Sequence, residues 1–139
     1  MTIDEKQQDI IDQFADIDDW MDRYAYIIDM GNALEPLPEN LKTPDRLIEG
    51  CQSRVWLDAE KTDDGKVIFR ADSDAIIVKG IVSMLIEVLS GHTPQEILNA
   101  DLRFIDEIGL SEHLSPTRSN GLVAMLKQMR AYAAAFSVK

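Results

Sequence analysis

Cys51 is the only cysteine in the chain, and its type offers more chemistry than any other single residue. One thiol can form no internal disulfide and supplies too few ligands for a multi-cysteine metal site. It can carry one extra sulfur atom as a persulfide, a reversible modification that needs a single thiolate. A second nearby thiol would discharge that persulfide by exchange. The solitary cysteine therefore suits a sulfur acceptor, although a free cysteine is also often an unreactive, buried apolar residue.

The neighbours of Cys51 suit a thiol that is alternately shielded and exposed. Gly50 precedes it, Gln52 follows it, and apolar residues lie on both sides of this short segment. An acceptor thiol needs protection from oxidation while idle and access to a partner during transfer. Glycine gives the backbone the freedom for such a movement. We therefore predict that Cys51 is mostly buried in the isolated protein and becomes exposed when a partner binds.

A cation in the C-terminal part of the chain lacks a local structural explanation. Ser115 and Pro116 form a helix start, with serine as the cap and proline in the first helical position. Arg118 then falls in the first turn, where a positive charge opposes the helix dipole. A cation beside a thiolate stabilises it and lowers its pKa. We therefore expect Arg118 to lie close to Cys51.

The other candidate residues have weaker patterns. His92 and His113 are the only histidines, and neither has the spacing of a metal motif. Either one, if the fold brings it to Cys51, would create the nucleophile pair of a cysteine hydrolase. The paired acids fit helix starts, turns and caps. The sequence has no calcium loop and no glycine-rich phosphate loop, so we predict no metal site.

Size and charge narrow the class of protein. The 139 residues are expected to form one domain, 1–139, and 45% of them are apolar. A net charge of -11 disfavours binding to nucleic acid and to anionic membranes. The N-terminus lacks the pattern of a signal peptide, and the longest apolar stretch, Ile76–Leu89, is too short and too polar to span a bilayer. We expect a soluble cytoplasmic protein whose thiol stays reduced.

Periodic patterns predict both helices and a hairpin. Residues 55–60 and 67–72 alternate apolar and polar side chains around the turn Thr62–Gly65, which predicts two antiparallel strands. A short third strand is predicted near Arg46–Gly50, after a long proline-containing loop over 33–46. Helical patterns begin behind Thr2 and near residues 17, 75, 93, 103 and 115. Within them, Ser73 with Asp74 is expected to cap a helix, and Gly80 to allow close packing of that helix against the sheet.

Four segments together resemble one known family. They are residues 24–31, 50–56, 72–80 and 115–122, which read YAYIIDMG, GCQSRVW, DSDAIIVKG and SPTRSNGL. On these segments the chain resembles the SufE-like proteins, the sulfur-accepting activators of cysteine desulfurases in iron–sulfur cluster assembly. The resemblance covers nearly the whole chain. The segment that contains Cys51 is the most specific of the four.

The resemblance implies a function and a set of residues. By analogy, Cys51 accepts sulfane sulfur as a persulfide from a pyridoxal-phosphate cysteine desulfurase, stimulates that enzyme and passes the sulfur to an iron–sulfur cluster scaffold complex. The chain would be a transfer partner and not an enzyme, and the pyridoxal phosphate would belong to the desulfurase. The family implies that Gly50 and Gln52 share the loop of the thiol, and that Asp74 and Arg118 lie near it.

The family also implies the fold class. It is α+β, with a curved antiparallel sheet of about three strands and helices packed mainly on one face, as in IscU-like scaffolds. Such a scaffold needs several thiolate ligands, so one cysteine disfavours cluster assembly on this chain. The chain departs from the family at Arg54, where glutamine is common. This cation would tune either the thiol or the docking of a particular desulfurase.

Several alternatives stay open at this point. The chain can be a paralogous acceptor that serves another desulfurase and feeds other sulfur-transfer pathways. A hydrolase that uses Cys51 with His92 or His113, and a binding module with an inert Cys51, belong to different classes. The sequence leaves homodimerisation open as well.

Overall fold

A computed structural model describes residues 1–138 as seven helices and one β-hairpin. The helices are α1 (Ile3–Ala15), α2 (Trp20–Ala33), α3 (Ile76–Leu89), α4 (Pro94–Asn99), α5 (Phe104–Glu107), α6 (Leu110–His113) and α7 (Pro116–Ser137). The strands are β1 (Val55–Lys61) and β2 (Val67–Ser73). Within residues 1–138, no helix combines the length and the apolar character needed to cross a membrane.

Side-chain caps begin three of the helices where the sequence predicts them. The Thr2 hydroxyl accepts a hydrogen bond from the Glu5 amide at 3.0 Å, which starts α1. Thr93 starts α4 in the same way, followed by Pro94 in the first turn. The Ser115 hydroxyl accepts from the amide of Arg118 at 3.3 Å and starts α7. These caps occupy amide groups that have no partner inside their helices. The four-residue helix α6 was not predicted.

The hairpin has one buried face. β1 and β2 run antiparallel, with Leu57 opposite Ala71. Successive residues of a strand point to opposite sides of the sheet, so every second side chain lies on the same face. On one face of this hairpin these side chains are buried. The buried face consists of Val55, Leu57, Val67, Phe69 and Ala71.

The predicted third strand is wrong. The sheet has two strands, and within the predicted segment Arg46–Gly50 only Leu47 forms a bridge, with Trp56. Next to it, the Ile48 amide donates to the carbonyl oxygen of Val55 at 2.9 Å. The chain enters this bridge from a 3-10 turn at Pro44–Arg46 and leaves it through Gly50, whose φ is 91°. Neither conformation continues a strand, so the pairing stops after one bridge.

α3 contacts α2 so closely that only glycine fits at the crossing. A Cβ atom on Gly80 would lie 2.2 Å from the carbonyl oxygen of Ile27, and one on Gly31 would lie 2.6 Å from the backbone nitrogen of Gly80. Gly80 therefore permits close packing between two helices, and the expectation that it packs against the sheet is wrong. The hydroxyl of Ser83, one turn later on α3, donates to the carbonyl oxygen of Met30 at 3.0 Å, so this face of α3 contacts α2 there as well.

Candidate functional site

Cys51 lies in the loop that leads into β1, against the first turns of α7. Its thiol donates a weak hydrogen bond to the carbonyl oxygen of Gly121, with sulfur and oxygen 3.6 Å apart. A cavity of about 20 Å³ adjoins the sulfur, and Gln52, Thr117 and Arg118 are among the residues that line it. A volume of this size has room for one guest as large as a water molecule. The fold therefore brings Cys51 and Arg118 to the same cavity.

The electrostatic environment of the thiol differs from the expectation. Cys51 is half-buried, so it is less shielded than the sequence predicts. Burial raises the pKa of the Cys51 thiol. We expected Arg118 to lower that pKa, and for this conformation the expectation is wrong. The physical reason is that desolvation of the thiolate outweighs any stabilisation by the exposed guanidinium, whose charge is screened by water.

The raised pKa makes a prediction about reactivity. Alkylation of Cys51 by iodoacetamide is expected to rise with pH along a curve whose midpoint lies above that of an unshielded thiol, about 8.5. The measurement is the alkylation rate against pH for the native protein. The same chain in denaturant is the matched control, because it exposes the same sulfur. Coincident midpoints for the native and the unfolded chain would contradict the prediction.

Gly121 is a site residue that the sequence reasoning did not single out. It is buried, and a Cβ atom at this position would lie 3.4 Å from the sulfur of Cys51. That is an ordinary van der Waals distance, so a methyl group would occupy the space beside the sulfur. The sequence feature that could have indicated it is a glycine inside an amphipathic helix pattern, because such a glycine often lies where another part of the chain packs closely against the helix.

Gly50 sets the start of the thiol loop. Its φ of 91° lies in the left-handed region, which residues with a Cβ atom rarely adopt. A Cβ atom there would also meet the Cβ atom of Ala124 at 3.4 Å. The chain therefore turns at Gly50 in a conformation that is accessible to glycine, immediately before the reactive residue.

Asp74 sets the other end of the loop. Its carboxylate accepts from the Arg54 amide at 3.0 Å, and its own amide donates to the Arg54 carbonyl oxygen at 3.2 Å. The Ser73 hydroxyl donates to the same oxygen at 2.8 Å. The expectation that Ser73 and Asp74 cap α3 is wrong, because the N-cap is Ala75, which has no capping side chain. Both polar side chains are instead bound to the backbone of Arg54.

A buried carboxylate, Asp72, holds the long loop that precedes the thiol. Lys42 from that loop and Lys79 from α3 approach it at 3.4 and 3.3 Å. The amides of Leu37 and Ser73 donate to it at 3.3 and 2.8 Å. Burial alone would raise the pKa of Asp72, but these hydrogen bonds and Lys79 outweigh it, so the pKa is lowered. The ionised carboxylate of Asp72, on β2, thus binds both the long loop and α3.

Replacement of Asp72 by asparagine is expected to destabilise the protein by about 2–3 kcal/mol at neutral pH, because two lysines and two amides lose a charged acceptor. A lowered pKa stabilises the fold above the unfolded value, about 3.9, and this contribution disappears as the pH falls through the folded value. The difference between wild type and D72N, measured by urea unfolding, should therefore shrink below about pH 4. The exposed Asp63→Asn is the control. Equal loss of stability in D72N and D63N, or a pH-independent loss in D72N, would contradict the prediction.

The two histidines are engaged elsewhere. His92 is buried, with its Nε2 atom 3.0 Å from the carbonyl oxygen of Met1. His113 stacks on Trp20 with ring centroids 3.8 Å apart. Neither lines the cavity of Cys51. The structure therefore does not support a cysteine–histidine pair. Residues 1–138 also contain no cluster of three or more His, Cys, Asp or Glu side chains that could hold a metal ion.

A second, larger concavity begins beside the thiol loop. This groove, of about 1040 Å³, runs between residues 44–50 and the outer face of α7. Gly50 lies at its edge, and the apolar side chains of Leu47 and Val123 on its walls are 36% and 65% exposed. Polar residues such as Glu49 and Lys127 line it as well, and exposed apolar side chains bordered by polar ones are typical of an interaction surface. Cys51 thus lines the small cavity, and the residue before it lines the open groove.

Arg54 is the remaining predicted site residue, and its side chain is exposed. In the part of the chain that the structure describes, its guanidinium forms no ion pair with a carboxylate. The predicted site residues therefore divide into three groups. Cys51, Gln52 and Arg118 line the cavity, Gly50 and Asp74 hold the ends of the loop, and Arg54 faces solvent.

Comparisons with known proteins bear on the fold and on the family of this chain. A solved solution structure of a hypothetical protein from Thermus thermophilus shares the fold, with a TM-score of 0.78 and 23% sequence identity over 96% of this chain and 97% of that one. It supports the α+β class, and the sheet of this chain has two strands where about three were expected. The family model of SufE, described as an Fe–S metabolism associated domain, matches residues 8–133, which include every residue of the thiol loop and its supports. The chain therefore belongs to the SufE family.

Proposed function

We propose that this protein accepts sulfane sulfur on Cys51 from a pyridoxal-phosphate cysteine desulfurase, stimulates that enzyme and passes the sulfur to an iron–sulfur cluster scaffold. Membership of a family associated with Fe–S metabolism supports the general process. The observation that carries the specific role is the position of the only thiol, half-buried beside a cavity that has room for one more atom.

The transfer requires no oxidant and no cofactor on this chain. The Cys51 thiolate attacks the outer sulfur of the partner's cysteine persulfide. A new sulfur–sulfur bond forms at Cys51, the bond to the partner's sulfur breaks, and the partner's cysteine leaves as a thiolate. Cys51 then carries the persulfide. In the second transfer, a thiolate of the scaffold attacks the outer sulfur and releases Cys51 as a thiolate.

The resting site would shield such a persulfide in part, and the loop offers a way to release it. The small cavity beside Gly121 has room for a second sulfur on Cys51, and the half-buried position of the thiol limits its contact with oxidants. Gly50 provides backbone freedom on one side, while Arg54 is held to Asp74 on the other. Residues 50–53 can therefore move as a short unit when a partner occupies the adjacent groove. A raised pKa lowers the fraction of thiolate in the resting protein, so the proposal requires contact with the desulfurase to activate the thiol.

The test is mass spectrometry of the intact protein after incubation with free cysteine and a cysteine desulfurase of the same organism. Each such desulfurase is tested separately, which also identifies the enzyme that this acceptor serves. We expect a mass gain of one sulfur atom, faster release of alanine by the desulfurase, and no gain without cysteine. No mass gain with any desulfurase would overturn the proposal. Hydrolytic activity without a partner would favour the cysteine hydrolase.

A further inference from the structure

Arg54 has a fixed backbone and an unpaired side chain. Three hydrogen bonds hold its amide and its carbonyl oxygen to Ser73 and Asp74. The carboxylate of Asp74 contacts Arg54, but it is bound to the amide of Arg54 and not to its guanidinium. The protein thus holds a solvated cation at a defined place on its surface, in a chain whose net charge is -11.

The backbone of Arg54 lies inside an interface of ordinary size that is centred on the thiol. Three residues of extended chain span at most about 11 Å, which limits the separation of the Cα atoms of Cys51 and Arg54. A protein interface of ordinary size buries about 800 Å² on each side, which corresponds to a disc with a radius of roughly 16 Å. A partner that docks around Cys51 therefore also covers the backbone of Arg54.

Covering an unpaired guanidinium is unfavourable unless the partner supplies an acceptor. Loss of hydration costs a charged group several kcal/mol, which a well-placed opposite charge can offset. Carboxylates match the fork of the guanidinium and form two parallel hydrogen bonds with it. Among the described residues no carboxylate occupies this position, so the acceptor has to come from the other protein.

We propose that Arg54 is a docking residue that pairs with a carboxylate of the cysteine desulfurase, near the cysteine from which Cys51 takes sulfur. The inference rests on the proposed function and adds the chemistry of the partner's surface. The alternative role, tuning of the thiol, has no support in the resting structure, where the pKa of Cys51 is raised by burial.

Lys66 provides a matched control for Arg54. It is also an exposed cation, and its replacement by glutamine changes the net charge by the same amount as Arg54→Gln. It lies at the turn of the hairpin, whereas Arg54 directly precedes β1. Seven strand residues separate these two ends by roughly 23 Å, beyond the radius of an interface centred on the thiol loop.

The experiment measures the dissociation constant between this protein and the desulfurase that gives the sulfur mass gain, at about 50 and about 500 mM salt. We expect R54Q to weaken binding by about five- to tenfold at low salt and less than about twofold at high salt, because salt screens an exposed ion pair. K66Q should bind like the wild type. Unchanged binding of R54Q, an equal loss in K66Q, or a loss in R54Q that salt does not reduce would overturn the inference.

A second measurement separates this inference from the proposed function. R54Q is incubated with cysteine and a saturating concentration of the desulfurase, and its intact mass is recorded. A mass gain of one sulfur atom together with weakened binding supports a docking role. If the wild type gains sulfur and R54Q binds normally, only the docking inference fails. If the wild type gains no sulfur, the proposed function itself fails.

Discussion

Cys51→Ser is expected to abolish sulfur transfer completely. Serine has nearly the shape of cysteine, but its hydroxyl stays protonated at neutral pH and cannot exchange with a sulfur–sulfur bond. The variant should gain no sulfur from the desulfurase and should not accelerate the release of alanine. Its free energy of unfolding should stay within about 1 kcal/mol of wild type, because Cys51 is half-buried and makes one weak hydrogen bond. The intact mass and the alanine assay measure the loss, and urea unfolding measures the stability.

A displaced thiol provides the control for position. Ser137 is exposed and lies sixteen residues after Gly121 on α7, about 24 Å along the helix. The double variant Cys51→Ser with Ser137→Cys keeps one thiol but removes it from the cavity. We expect this variant to take no sulfur from the desulfurase. Transfer to the displaced thiol at the wild-type rate would show that any accessible thiol suffices, and a sulfur gain in Cys51→Ser alone would remove Cys51 from the mechanism.

Gly80→Ala is expected to have the largest effect on stability, a loss of about 3 kcal/mol or more. The new methyl group would lie 2.2 Å from the carbonyl oxygen of Ile27 and 2.5 Å from its Cγ2 atom, so α2 and α3 would have to separate. Alanine favours a helix over glycine by about 1 kcal/mol, which offsets only part of this cost. Urea unfolding should show a lower midpoint with an unchanged slope.

Ile76→Ala tests whether the effect comes from the crossing of the helices. Ile76 is on the same helix as Gly80 and is 62% exposed, so its truncation should change the free energy of unfolding by less than about 0.5 kcal/mol. A Gly80→Ala variant that is as stable as Ile76→Ala would show that α2 and α3 do not approach as closely as described. Loss of sulfur transfer in Gly80→Ala would accompany unfolding, since Gly80 does not line the cavity.

Local patterns were sufficient for most of the fold. The alternation of residues 55–60 and 67–72 predicted the hairpin, and the capping residues Thr2, Thr93 and Ser115 marked the starts of three helices. Both signals arise from interactions within a few residues, so the sequence contains them directly. The prediction of a third strand was wrong because the pairing is limited to the bridge at Leu47, and the chain turns away at Gly50.

The sequence by itself determined that this chain has one thiol with a glycine before it, that its charge disfavours nucleic acid, and that its elements are helices around a hairpin. Only the tertiary structure decided what each side chain contacts. In the folded protein the thiol of Cys51 donates to the carbonyl oxygen of Gly121, and the carboxylate of Asp74 binds the amide of Arg54 and does not cap a helix. Gly80 packs against α2. Burial in the folded protein also raised the pKa of the Cys51 thiol, whereas the sequence predicted that Arg118 would lower this pKa. The physical reason is that desolvation and steric contact depend on which distant segments meet, and local sequence patterns do not contain that information.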